Sequence, residues 1–393
     1  MKSNFTKSLI CMAVLATTGM AASQAQAGAT ITFGEDKSIT AGFGFISSYS
    51  NVEDAGADGG RSNDFALNSA RLYLSGSFNK YIKGMFNTER TGGGSGLQGS
   101  GANVEVIDAN VQLQITPEVA IWAGRFLPPS DRANMAGPYY SSGGGGGYWA
   151  NVASRYGWNG GIIGRDEGVA VVSSLLDDHL AISFGAFEGA NIFRFSGIGA
   201  QPETTAGVSD RPMYAGRVQY AFWDSEPGYY GTGNYFGAKD VLSVGLSGKQ
   251  KKDGAVASAA SIGDYTHYSI DFLLEKKDVG PGTASLEAAY YDYDTDGVFR
   301  SEQGDAYYVS AGYLFNQQVG WGKFMPFARY QSFDADNNVK TARMDIGVNY
   351  VIAPYNALIS AEYQQTDISG SGSVGFANRG RTDGILISTQ FQF

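Results

Sequence analysis

The sequence predicts an all-β fold, a transmembrane antiparallel β-barrel of about sixteen strands, and three observations carry that expectation. Apolar and polar residues alternate with period two from Lys37 to Phe393. No segment reaches the roughly 18 consecutive apolar residues that a membrane helix needs. The composition joins 55 glycines, 24 tyrosines and 23 phenylalanines to a slightly negative mean hydropathy. A barrel demands that combination, because two aromatic girdles and a polar interior leave only every second strand residue apolar. A soluble sandwich also alternates, but rarely through so many strands of one chain.

In chain order, residues 1–27 read as a secretory leader. Lys2 and Lys7 precede an apolar stretch from Leu9 to Ala22, and Ala25-Gln26-Ala27 forms a small-x-small cleavage site. The mature domain is then 28–393. The single cysteine, Cys11, lies in the leader, which leaves the domain without a disulfide framework or a thiolate metal site. The formal charge of −10 becomes more negative once Lys2 and Lys7 are removed, which argues against nucleic acid as a partner.

The alternation divides into sixteen strands, at 37–49, 65–78, 81–90, 104–115, 119–126, 168–175, 180–188, 212–222, 240–250, 265–275, 283–293, 305–315, 324–333, 341–351, 356–366 and 384–393. Short links such as Asn79-Lys80, Thr116-Pro117-Glu118, Asp177-Asp178-His179 and Ala353-Pro354-Tyr355 take turns with segments rich in Gly, Ser, Asn and Asp. Those longer segments are 50–64, 91–103, 127–167, 189–211, 252–264, 294–304 and 367–383. Short periplasmic turns alternating with long outer loops are what a membrane barrel requires. Two links break the rhythm: 223–239 is long where a turn is due, and 334–339 is short where a loop is due.

Strand alternation assigns faces. Ala70, Leu72, Leu74 and Phe78 oppose Arg71, Tyr73, Ser75 and Ser77; Ile107, Ala109, Val111, Leu113 and Ile115 oppose Asp108, Asn110, Gln112 and Gln114. Met344, Ile346, Val348 and Tyr350 likewise oppose Arg343, Asp345 and Asn349. A charged face cannot meet lipid, so the projection places Arg71, Lys83, Arg125, Arg217, Lys249, Arg329 and Arg343 in the lumen. Glu89, Asp108, Asp271, Glu275, Glu287, Asp345 and Glu362 oppose them there. Interleaved signs do not by themselves select an ion, whereas a ring of one sign does. Tyr290, Tyr307, Tyr313, Tyr330 and Tyr350 fall on the outer face as interfacial aromatics. In the last strand Ile385, Ile387, Thr389, Phe391 and Phe393 share a face, and the pattern resembles the closing strand by which outer-membrane barrels are recognised for assembly.

Catalytic chemistry finds little support. The two histidines, His179 and His267, are far apart in sequence and neither adjoins a nucleophile motif. Asp292, Asp294, Asp296 and Gly297 reproduce the opening of a calcium loop, but its closing position is Gln303, and strands flank it. An acidic loop is the simpler reading, and no cofactor is expected. Gly248-Lys249 lacks the spacing of a phosphate loop.

Several short stretches together resemble the phosphate-selective porin O and P family of Gram-negative outer membranes. They are Ala70-Arg71-Leu72 leading to Gly76, Asp108-Ala109-Asn110-Val111, Gly124-Arg125-Phe126 with Pro128, Tyr235-Phe236-Gly237-Ala238-Lys239-Asp240, and Pro326 with Arg329-Tyr330. The resemblance implies a sixteen-stranded outer-membrane porin, usually trimeric, whose third outer loop folds inward and narrows a pore. That loop would be Leu127 to Glu167, carrying Arg132, Arg155 and Arg165 against Asp131, Asp166 and Glu167, with five glycines from Gly143 to Gly147. The expected partners are outer-membrane lipid, two further copies of the chain, the barrel assembly machinery, and small hydrophilic solutes or anions such as phosphate. Arg71 and Arg125 are the leading pore cations, expected to face the loop's acids across a transverse field. A plugged barrel serving as an adhesin or structural protein, and a barrel hydrolase, are the competing readings.

Overall fold

The computed structural model describes residues 28–56, 58–91, 103–141, 152–154, 164–189, 207–371 and 380–393. The expected leader, Arg155 and the five-glycine run lie outside the described residues. Strands β1 (Ala29–Thr32), β2 (Ser38–Val52), β3 (Ser62–Ser77), β4 (Ile82–Thr91), β5 (Asn103–Thr116) and β6 (Val119–Phe126) come first, followed by a short helix, α1 (Arg132–Ala136). Strands β7 (Asp166–Leu175), β8 (Leu180–Phe187), β9 (Met213–Ala221), β10 (Val241–Ser258), β11 (Ser261–Val279) and β12 (Gly282–Asp294) follow. The wall is completed by β13 (Gly304–Phe315), β14 (Lys323–Ala335), β15 (Val339–Ala353), β16 (Ala357–Gly370) and β17 (Gly380–Gln392).

Each strand from β2 to β17 pairs antiparallel with its sequence neighbour, and β17 returns to β2 with register from Gly384 opposite Val52 to Gln392 opposite Gly44. Sixteen strands thus close into a barrel, and closure leaves no ladder of unpaired N–H and C=O groups. The short β1 pairs with Ser38 to Ala41 of β2, continuing the line that β17 leaves at Phe393. Outside this seam, Phe43 meets the rings of Phe391 and Phe393 at 5.9 and 5.6 Å, and Phe45 meets Phe391 at 5.6 Å. Both aromatics of the expected assembly signal therefore sit where the barrel closes.

The outward face is apolar along the wall, with Leu72, Phe86, Val111, Val171, Ile270, Ile346 and Ile387 exposed. Tyr290, Tyr307 and Tyr330 stand exposed among them. The inward face is buried and carries most of the wall's charged groups beside apolar and aromatic clusters, and all seven acids projected to the lumen lie there.

The links sort into two sets. One end of the barrel carries 78–81, 117–118, 176–179, 280–281, 316–322 and 354–356, together with the long link 222–240. We call it the turn end; the remaining links form the loop end. Two expectations need correction there. Residues 252–264 are not a loop, because β10 and β11 continue past the wall as a hairpin turning at Ala259-Ala260, with Val256 opposite Ile262 and Ala255 opposite Gly263. The link between β14 and β15 shrinks to 336–338, where Asn338 adopts a left-handed backbone and donates its N–H to Ala335 O.

At Gly304 the backbone has φ +136°, and a Cβ would sit 2.1 Å from Asp334 O. Gly304→Ala is expected to cost about 1–3 kcal/mol through strain at that angle. The check is the temperature at which the compact band converts to the unfolded band in detergent gels, which should fall.

Candidate functional site

The interior is crossed by chain from both ends. From the loop end, Pro128-Pro129 force an extended path out of β6. Asp131 then caps α1, accepting the Asn134 N–H at 3.2 Å. This stretch is buried although it is polar, so its groups require partners. Tyr139 exchanges a 2.8 Å hydrogen bond with Ser69 on β3, while the backbone N–H of Arg132 donates to Asp271 on β11 at 3.1 Å. β3 and β11 are eight strands apart in a ring of sixteen. Residues 127–141 therefore bond to opposite walls.

From the turn end, residues 222–240 meet that stretch. The Tyr229 hydroxyl donates to Leu127 O at 2.6 Å, the Gly233 N–H to Tyr140 O at 2.8 Å, and the Tyr230 hydroxyl to Asp108 at 2.9 Å. The N–H groups of Tyr235 and Gly237 both donate to Glu275 on β11, at 2.7 and 2.5 Å. Tyr229 also packs on Trp122, with centroids 4.8 Å apart.

Arg132 is the hub. Its two terminal nitrogens donate to Glu226 at 2.8 and 2.9 Å, and further to Thr232 O at 2.9 Å and Ser243 Oγ at 2.6 Å. Asp271 receives Arg217 at 2.5 and 2.8 Å as well as the Arg132 backbone. A planar guanidinium suits such forked pairing where a lysine would not. Burial alone raises the Glu226 carboxyl, but the charge of Arg132 and hydrogen bonds from Arg132, Ser243 and Tyr235 outweigh it and hold the group below the ordinary carboxylate range. A depressed folded pKa means that the pair contributes its stability above the unfolded carboxylate value and loses it as pH falls through the folded one.

Other charges are paired along the wall. Arg71 bonds Glu89 at 2.8 Å and lies 5.2 Å from the Tyr139 ring centroid. Arg329 bonds Glu362 at 2.5 Å and approaches Asp345 at 3.5 Å, and Arg343 bonds Asp345 at 2.8 Å. Arg165 approaches Asp108 at 3.4 Å. Lys83 faces inward opposite Ser77 and Gln112. Asp131 takes the Tyr291 hydroxyl at 2.9 Å, while Asp166 takes the Gly189 N–H at 2.6 Å and the Glu167 N–H at 3.0 Å. Between α1 and the wall of β3–β5 a cleft is lined by Arg71, Asn87, Asp108, Asn134, Arg165 and Tyr230.

Arg125 is not in this set, contrary to the sequence expectation. Its register partners are Ala109 and Glu167, both on the outward face, and its guanidinium bonds Glu167 at 2.5 Å outside the barrel. Trp122 and Phe126 take the inward positions because they pack with Tyr229 of the 222–240 link. The expected placement of Arg125 in the lumen is thereby overturned: it does meet the loop acid Glu167, but on the outward face, while Arg71 meets Glu89 of β4.

The calcium-like run does not converge on a metal position either. The Asp296 N–H is taken by Asp294, the Asp264 N–H by Asp296, and Gln303 accepts the N–H groups of Thr295 and Gly297. Among the described residues no group of three or more His, Cys, Asp and Glu gathers as a metal site. His267 is buried against Tyr293, ring centroids 4.6 Å apart, and His179 bonds Ala221 O at 2.7 Å.

Strand alternation does not single out Glu226, Tyr229, Tyr230 or Tyr139. The available signal is the anomalous length of 223–239, whose lone glutamate and three tyrosines do not suit a solvated turn.

No family model matches the chain, and no curated protein matches it. Solved structures do. An anion-selective porin from Comamonas acidovorans is 15% identical with a TM-score of 0.54, over 91% of this chain and 100% of its own. The trimer form of OmpT, an outer-membrane protein of Vibrio cholerae folded in vitro, is 13% identical with a TM-score of 0.52, over 91% and 100%. The outer-membrane channel DcaP of Acinetobacter baumannii is 12% identical with a TM-score of 0.52, over 91% and 98%. At such identity the likeness establishes a shared fold, the closed antiparallel barrel.

Asp271→Asn removes the carboxylate shared by Arg132 and Arg217 and is expected to destabilise the barrel by about 3–5 kcal/mol. Arg125→Ala, breaking an exposed pair, should cost at most about 1 kcal/mol. Denaturant midpoints of the two variants check both statements.

Proposed function

We propose that the chain is an outer-membrane porin, a passive channel for small hydrophilic solutes and ions that performs no catalysis. The observation that carries this reading is the closed barrel with an apolar, aromatic exterior and a charged interior, an arrangement that suits a lipid surround and an aqueous path. The leader-like residues 1–27, the aromatic closing strand and the likeness to solved outer-membrane barrels support export to a Gram-negative outer membrane and handling by the barrel assembly machinery. On this reading the turn end is periplasmic. The likeness to a barrel solved in a trimer form supports a homotrimer.

Residues 127–141 act as the constricting loop, and the solute path runs through the cleft beside Arg71 and Arg165. Two cations there favour anions over cations, and phosphate is the candidate solute that the family-like motifs suggest. Their partners Glu89 and Asp108 lie on the same wall, so selection depends on the local field rather than on net charge. The burial of both crossing segments favours one competitor, a barrel plugged for an adhesive or structural role.

The test is a planar bilayer recording of the purified barrel under a KCl gradient. Stepwise channels with an anion-selective reversal potential, reduced by added phosphate, are the expected result. Arg71→Ala should shift the reversal potential toward cation preference. Silence from a correctly folded barrel would favour the plugged reading.

A further inference from the structure

Six of the seven links at the turn end need two to seven residues, whereas 222–240 uses nineteen. A link of that length is ordinarily a solvated loop. This one buries Glu226, Tyr229, Thr232 and Asn234 inside the barrel. Its partners are not confined to the two strands it joins. The Tyr230 hydroxyl reaches Asp108 on β5, the Asn234 amide reaches Ser285 on β12 at 3.2 Å, and Asn234 O accepts the Tyr355 hydroxyl at 2.5 Å. The carboxylate of Glu226 is balanced by Arg132, a residue that enters from the opposite end.

Resting on the channel reading above, we propose that residues 222–240 form a second constriction of the pore, entering from the turn end and joined to residues 127–141 through Arg132 and Glu226. The joint combines the forked guanidinium–carboxylate pair, the Arg132 guanidinium on Thr232 O, the Gly233 N–H and Thr232 hydroxyl on Tyr140 O, and the Tyr229 hydroxyl on Leu127 O. Any solute passing the cleft of Arg71 and Arg165 also passes Tyr230, which lines it from this link. The width of the path is then set by two segments that hold each other, and Glu226 is the positioning residue for the helix that carries Arg132.

The test replaces residues 227–234 with two glycines and compares single-channel conductance with the native barrel. The shortened barrel is expected to conduct more, by roughly two-fold or more, because a narrow segment dominates the resistance of a pore. A second variant carries Tyr140→Cys and Thr232→Cys in a Cys11→Ser background; Thr232 Oγ1 lies 3.0 Å from Tyr140 O. With the disulfide formed it should conduct less than after reduction, and this comparison decides the matter if the shortened barrel does not fold. A silent native barrel beside a conducting shortened one also supports the constriction. Equal conductance in native and shortened barrels, or in stapled and reduced ones, overturns it and leaves the channel intact. Silence from every folded form overturns the channel reading itself.

Discussion

The pairing of β17 with β2 is the constraint on which the rest of the structure depends. Hydrocarbon offers no partner for a peptide N–H or C=O, so a sheet that spans it must have no free edge. Nine residue pairs between Gly384–Gln392 and Val52–Gly44 remove that edge. Once the ring is closed, each strand has one face toward lipid and one toward the lumen, and the period-two pattern becomes a division between two solvents. The rings of Phe43, Phe45, Phe391 and Phe393 cover the seam from outside. Ladder bonds and apolar cover thus coincide where an error in closure would be most costly.

The polar interior then permits what a hydrocarbon core would forbid. Irregular backbone is tolerated at membrane depth where it is buried in protein or lines a cavity, since side chains can satisfy its N–H and C=O groups. Residues 127–141 and 222–240 meet this condition by different means. The first is anchored by side chains of β3, β11 and β12 together with its own Asp131 cap. The second lends two N–H groups to Glu275 and one carboxylate to Arg132. A buried guanidinium without a partner would be prohibitively desolvated, so Arg132, Glu226, Asp271 and Arg217 stand or fall together. Their forked geometry fixes a register between two segments that share no strand.

Much of the wall was legible in the sequence, and the reasons are local. The faces of β3, of β15 and of β5 from Asp108 onward followed from alternation, and all seven lumen acids projected from it lie inside; Ile107, expected outside, is buried because a bulge against β4 breaks the alternation there. The fit was weakest where a strand carries large apolar side chains on both faces. In β6, Ile121 and Ala123 alternate with Trp122, and nothing within those eight residues says which set meets lipid; Arg125 was therefore assigned to the wrong side. The hairpin of β10 and β11 was hidden because Gly254 and the small residues near 257–260 resemble a loop, although Val256 and Ile262 pair across it.

The candidate site divides in the same way. Arg71, Asp108, Arg329 and Arg343 were identifiable as charges that cannot face lipid, and the family resemblance placed Asp131, Arg132 and Arg165 on a loop expected to fold inward. Their actual pairings were not identifiable. Sequence alone determined the barrel class, the strand number and most of the lumen's charged residues, because burial on a strand repeats every two residues and each repeat is read locally. Only the tertiary structure decided that Arg125 faces outward, that Arg132 meets Glu226, and that a turn-end link enters the lumen. Those outcomes depend on contacts between residues far apart in sequence, such as Arg132 and Glu226 at 94 positions, and no local pattern encodes a partner at that separation.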